Sequence, residues 1–173
     1  DGSTDGTADL VRQWQLDSTL VIILIERQNG GKHRSVNDGV RAAKGRWIYI
    51  VDSDDKLPNR ALENIASKLP SIEEIPNVAG LSGLKADFDG HIIGDYFPDG
   101  REFCDAISLT YRYGIRADKA DVYKKEILLH FPFPEFKGEK FLTEAVVWYR
   151  IANAGYVLLL TNEVLYECEY RPD

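Results

Sequence analysis

The chain has 173 residues, 44% hydrophobic and 28% charged, long enough to bury a core and ordinary in composition for a globular protein. Its net charge of −7 argues against a dedicated nucleic-acid or anionic-membrane surface. Cys104 and Cys168 are too few for a disulfide framework, which points to a reducing, cytoplasmic setting. No apolar run approaches the ~20 residues of a membrane span, and no secretory signal, repeat or low-complexity tract is visible. Methionine is absent, position 1 included, so the chain reads as a fragment of a longer protein.

The polar opening Asp1-Gly2-Ser3-Thr4-Asp5-Gly6-Thr7 is a turn. Ser3 and Thr4 are good caps for a helix carrying Ala8, Leu10, Val11 and Trp14. The apolar run Leu20–Ile25 predicts a strand buried on both faces. A glycine-bearing loop, Glu26 to Lys32, leads into a helix over His33–Ala43, closed by Lys44-Gly45. Trp47–Val51 is aromatic and β-branched and predicts a strand. Pro58 opens a helix that turns Ala61, Leu62, Ile65 and Leu69 inward, and Pro70 ends it. Helices alternating with strands imply a parallel sheet with crossovers.

The second half is less regular. Val78–Leu84 predicts a strand, Asp87–Gly90 a hairpin turn, and His91–Ile93 the return strand. Arg101–Tyr113 predicts a helix, Ala120–Tyr123 a short strand and Lys124–His130 a helix. Phe131–Pro134 is a loop, and Leu142–Ala154 a helix stopped by Gly155. Val157–Leu160 and Val164–Tyr170 are strand-like. No stretch reads as a linker, so 1–173 is expected to form a single domain.

Directly after the Trp47–Val51 strand come Asp52-Ser53-Asp54-Asp55, three carboxylates in four residues. Open α/β sheets bind ligands at the carboxyl ends of their strands. Crowded acids suit a divalent cation that takes one or two carboxylates and completes its shell with water and phosphate. A polar turn whose aspartate caps the next helix explains the same residues. From these residues alone both readings stay open.

Three stretches occur in order: DGSTDGT at 1–7, QNGGKHRSVNDGVRAAKGRWIYIVDSDD at 28–55, and EKFLTEAVVWYRIANAGY at 139–156. Together they resemble the inverting, nucleotide-sugar-dependent glycosyltransferases of family 2. The resemblance implies the α/β GT-A fold: a mostly parallel central sheet with helices on both faces, here without its first strand and helix. It implies nucleotide-sugar binding by Asp1, Asn29, Gly30, Gly31, Lys32 and Asp52. Asp54, with Asp52, is implied as the ligand of a divalent metal, Mn²⁺ or Mg²⁺. Glu144 is implied as the general base. Family members usually have Glu-Asp where this chain has Thr143-Glu144, so one carboxylate remains at the catalytic position.

The implied reaction moves a sugar from a nucleotide donor, a UDP-sugar, to a saccharide or lipid-linked acceptor. It would serve cell-surface polysaccharide synthesis, in the cytoplasm or at the inner face of the membrane. A second copy of the chain is a further expected partner; nucleic acid is not. A sugar-phosphate nucleotidyltransferase and a degenerate nucleotide-sugar-binding domain are the competing readings. Asn37 stands where family members commonly have an asparagine and reads equally as a structural polar residue; Trp148 reads as core packing rather than an acceptor platform, and His33, His91 and His130 as structural or surface residues. Asp118–Asp121 reads as a solvated loop, with contact to the acceptor as the alternative.

Overall fold

We describe a computed structural model of the chain, covering residues 1–115 and 118–169. Helix α1 (Thr7–Asp17) and helix α2 (Lys32–Ala42) precede strand β1 (Trp47–Tyr49). Helix α3 (Ala61–Ile72), strand β2 (Val78–Ala86), strand β3 (Phe103–Cys104) and helix α4 (Ala106–Tyr111) follow. Strand β4 (Ala120–Lys124), helix α5 (Lys125–His130), helix α6 (Ala145–Asn153) and strand β5 (Val157–Glu167) complete the order.

The five strands form one sheet in the order β1-β4-β2-β5-β3. It is mixed rather than mostly parallel. Only β2 and β5 are parallel neighbours, while β4 runs antiparallel between β1 and β2 and β3 runs antiparallel to β5. The expectation failed because alternating helices and strands were read as neighbours in space. Strand β4, from late in the chain, inserts between β1 and β2 instead. Gly80 permits this, since a Cβ there would lie 1.9 Å from the Val122 carbonyl oxygen.

Period-two alternation divides the sheet between two cores. Tyr123 faces Val40, Ile127, Leu128, Val147 and Ile151, burying α2, α5 and α6 on one face. Its neighbour Val122 faces Ile65, Ile72, Leu81 and Leu165, burying α3 on the other. Burying a side chain such as Leu81 or Leu165 contributes roughly 1.5–3 kcal/mol. Helices therefore cover both faces, as expected of an α/β fold.

Several boundaries differ from the sequence reading. Leu20–Ile25 forms no ladder, and Leu20 and Val21 are 74% and 81% exposed. An apolar run predicts burial, but a strand exists only where a neighbour pairs with it. Arg101–Tyr113 is not one helix; it splits into β3 and α4, with Asp105 capping α4 through the Ser108 amide at 2.8 Å. Pro70 does not end α3, which runs on to Ile72. The two strands expected over 157–170 are one strand to Glu167, and Tyr170 lies outside the described residues. Among the described residues no helix is long and apolar enough to cross a membrane.

Candidate functional site

The site is built at the carboxyl end of β1. The Asp52 amide donates to the Tyr166 hydroxyl at 2.9 Å, and that hydroxyl donates to Asp55 at 2.7 Å. Tyr166 therefore pins the acidic turn to β5. Burial and the neighbouring carboxylates push its phenol far above the ordinary range, so it remains a donor. The sequence left Asp55 without a role, and the structure gives it this one.

The N-terminal turn and the glycine loop close on each other. The Asp1 carboxylate accepts from the Gly30 amide at 2.9 Å and from the Gly31 amide at 2.8 Å. Gly31 is buried with φ 98°, and a Cβ there would lie 2.1 Å from the Lys140 carbonyl oxygen. Only glycine allows this approach. It draws the 139–144 segment over the start of α2.

Lys32 follows at once. Its ammonium lies 2.7 Å from Asp52 and 2.9 Å from Glu144. Burial lowers its proton affinity, but the bonds to Asp52 and Glu144 outweigh burial and hold the lysine charged, above its ordinary range. Asp1, Gly30, Gly31, Lys32, Asp52 and Glu144 thus form one contiguous set. Asn29 is exposed beside it.

Asp54 stands apart. It is exposed, and its carboxylate engages no described residue. Such a carboxylate is a hard oxygen donor of the kind Mg²⁺ or Mn²⁺ takes. The ligand atoms of Asp52, Asp54 and Asp55 do not converge. Among the described residues the group that does converge is Asp87, Asp89 and His91, within 4.8 Å of one another. That group sits in the predicted hairpin turn, where Asp87 accepts from the Asp89 and His91 amides and contacts the His91 ring at 3.0 Å.

A cavity of about 200 Å³ opens beside Lys32, Asp52 and Glu144. Asp121 and His33 also line it. Asp121 belongs to the strand predicted over Ala120–Tyr123 rather than to the solvated loop read over Asp118–Asp121. It lies in β4 at half-buried depth, and the Ser82 hydroxyl donates to it at 2.5 Å. Burial raises its carboxyl to about 6; Ser82 and Lys85 oppose the rise, and Glu144 and Asp118 add to it. His33 lines the same cavity, is 2% exposed, and has no hydrogen-bond partner on either ring nitrogen among the described residues. The alternation Ala120-Asp121-Val122 was the available signal for Asp121. For His33, its place directly after Lys32 was the available signal.

Residues 1–78 match the family described as glycosyl transferase family 2. Among curated relatives, glycosyltransferase GlyG of Streptococcus pneumoniae is 28% identical over 104 residues, covering 60% of this chain and 34% of its own length. The teichuronic acid glycosyltransferase TuaG of Bacillus subtilis, described as putative, is 36% identical over 64 residues, 36% of this chain and 25% of its own. The solved structure of S. aureus TarS 1–349 in complex with UDP-GlcNAc superposes with a TM-score of 0.66 at 18% identity. That match covers 100% of this chain and 48% of TarS 1–349. It establishes the GT-A fold. The chain thus spans about a third of GlyG and about half of TarS 1–349.

Proposed function

We propose that the chain is the catalytic domain of an inverting, metal-dependent glycosyltransferase that uses a UDP-sugar. The observation that carries this is the Lys32 bridge, 2.7 Å to Asp52 and 2.9 Å to Glu144. It joins the end of the glycine loop to Asp52, read as the donor-side carboxylate, and to Glu144, read as the acceptor-side one. The family match over residues 1–78 and the UDP-GlcNAc complex of TarS support the donor class. They also favour this reading over a nucleotidyltransferase.

In this reading Asp1 shapes the loop, and Asn29, Gly30 and Gly31 lie along the nucleotide, where backbone amides approach closely. Lys32 moves onto the diphosphate as it arrives. Asp52 and Asp54 would hold the divalent cation, which neutralises charge on the departing diphosphate. Glu144 takes the proton of the acceptor hydroxyl while that oxygen bonds to the anomeric carbon. The bond from that carbon to the diphosphate oxygen breaks on the opposite face, and its electron pair leaves with the nucleoside diphosphate. Configuration inverts. The acceptor is a saccharide or lipid-linked saccharide of the cell surface, and the protein works in the cytoplasm or at the inner membrane face.

Calorimetric titration of the intact protein with UDP, GDP and dTDP, with and without Mn²⁺, tests the reading. UDP binding strengthened by Mn²⁺ is expected. Folded protein that binds none of them would be a degenerate domain. Glu144→Gln should keep UDP binding and lose about 10²–10⁴ in kcat, the usual contribution of a general base. Unchanged kcat would remove Glu144 from the chemistry.

A further inference from the structure

A second cavity of about 300 Å³ lies against Glu144 and touches neither Lys32 nor Asp52. It is walled by Ser82, Thr110, Asp121, Thr143 and Tyr149, with Leu109, Ile115 and Leu158 beneath. Its size suits a sugar-sized ligand. Its polar wall is organised. The Tyr149 hydroxyl donates to Thr110 at 3.2 Å, Thr110 donates to the Ala106 carbonyl at 3.1 Å, and Ser82 fixes one oxygen of Asp121. The other Asp121 oxygen has no hydrogen-bond partner among the described residues.

Charge decides what such a wall accepts. Asp118, Asp121 and Glu144 line the cavity, against Lys119 alone among the described basic residues. Lys119 offsets them only in part, one ammonium against three carboxylates. Its ammonium donates to the Asp95 carbonyl at 2.5 Å and lies 5.3 Å from the centre of the Phe97 ring. Lys85, which also acts on Asp121, lines only the first cavity. A phosphate here would face three carboxylates, and like charges so placed are disfavoured. A sugar hydroxyl can donate to Asp121 and replace the hydrogen bond it gives up to water.

Resting on the glycosyltransferase reading above, we propose that Asp121, with Asp118, sets acceptor specificity: the acceptor that meets Glu144 is an uncharged, polyhydroxylated saccharide, and phosphate-bearing acceptors are rejected. Asp121 accepts a hydrogen bond from an acceptor hydroxyl next to the one that Glu144 deprotonates. Asp118, exposed at the rim, repels anions as they enter.

The test uses the intact protein, UDP-GlcNAc and UDP-glucose, and an acceptor panel of two halves. One half is neutral gluco-, galacto- and chito-oligosaccharides; the other is oligomers of glycerol phosphate and ribitol phosphate. The best neutral acceptor should exceed the best phosphate-bearing one by at least about tenfold in kcat/KM, and Asp118→Lys should narrow that ratio by about tenfold. Asp121→Asn should raise the neutral acceptor's KM and narrow the ratio too. Asp118→Lys alters an exposed residue and keeps the test available if Asp121→Asn fails to fold. A purely structural role for Asp121 would not change discrimination by charge. Preference for phosphate-bearing acceptors, no transfer to any neutral one by protein that binds UDP, or a ratio that neither variant moves would each overturn the inference. Protein that does not bind UDP would overturn the reading on which it rests.

Discussion

The Lys32 ammonium stands 2.9 Å from a Glu144 carboxylate oxygen, although 112 positions separate the two residues in the chain (144 − 32). The same ammonium holds Asp52. One cation therefore ties together two carboxylates that would otherwise repel. On the proposed function, a diphosphate entering the cavity would compete with both for that lysine.

Lys32→Met should separate these roles. Losing a charge-assisted hydrogen bond costs about 1.5–3 kcal/mol, or about 10–100-fold in kcat/KM for the donor. The loss should fall mainly on donor KM and on UDP affinity. Because Lys32 is half exposed, raising the salt should erode the difference between wild type and variant. Calorimetry with UDP at two salt concentrations measures this. UDP affinity unchanged in Lys32→Met would reduce the lysine to a tie between acids.

Asn37 carries a structural prediction. It is 5% exposed, and its amide donates to the Phe133 carbonyl and to Glu135, each at 2.9 Å, while its oxygen accepts from the Phe133 amide at 3.0 Å. These bonds hold the Phe131–Pro134 loop against α2. Asn37→Ala would leave the Phe133 amide and carbonyl without partners in a buried place, at about 1–3 kcal/mol per orphaned group. Urea denaturation should register a loss of about 2–4 kcal/mol. A loss below 0.5 kcal/mol, roughly what a surface substitution costs, would mean the loop is held by other contacts.

These residues also mark what was legible in the sequence. The resemblance to family 2 singled out Asp1, the glycine loop, Lys32, Asp52 and Glu144, and the structure brings these residues together. The helices α2, α3 and α6 were readable from their apolar spacing. The order of strands was not. It depends on Gly80 admitting Val122 at a distance no other residue allows, a contact between positions 42 apart (122 − 80). The depth of Asp121 was hidden for the same reason. Its neighbours Asp118 and Lys119 advertise a solvated loop, and only its pairing opposite Ser82 turns it inward. Leu20–Ile25 failed in the opposite sense, since apolarity predicts burial only when a partner strand is present.

His33 gives a prediction that separates stability from function. A buried imidazole without partners costs desolvation that a phenyl ring of similar shape avoids. His33→Phe should therefore leave the melting temperature unchanged or raise it. If the imidazole serves a ligand in the first cavity, donor kcat/KM should fall about tenfold, the worth of one hydrogen bond of ~1.4 kcal/mol. A thermal melt and initial rates on the same preparation decide it. A variant with lower stability and intact activity would assign His33 to packing alone.

The last prediction concerns pH. Asp121 is raised from 3.8 to about 6, chiefly by burial. The folded state therefore binds this proton more tightly than the unfolded state does. Stability falls wherever the folded state holds more protons than the unfolded one and the pH increases. The contribution is fully favourable below 3.8, declines as the pH rises towards about 6, and is lost above that. Asp121 is partly open to the cavity, so the effect should be on the order of 1–2 kcal/mol rather than the full value of the shift. Asp121→Asn stays neutral at every pH and keeps an oxygen that can accept from Ser82. Plotted as wild type minus variant, the melting temperature should decline across that window and level off above it. A flat difference curve would mean that water reaches Asp121 freely, and a rising one would mean that the carboxylate is stabilised in its charged form, most simply by Lys85.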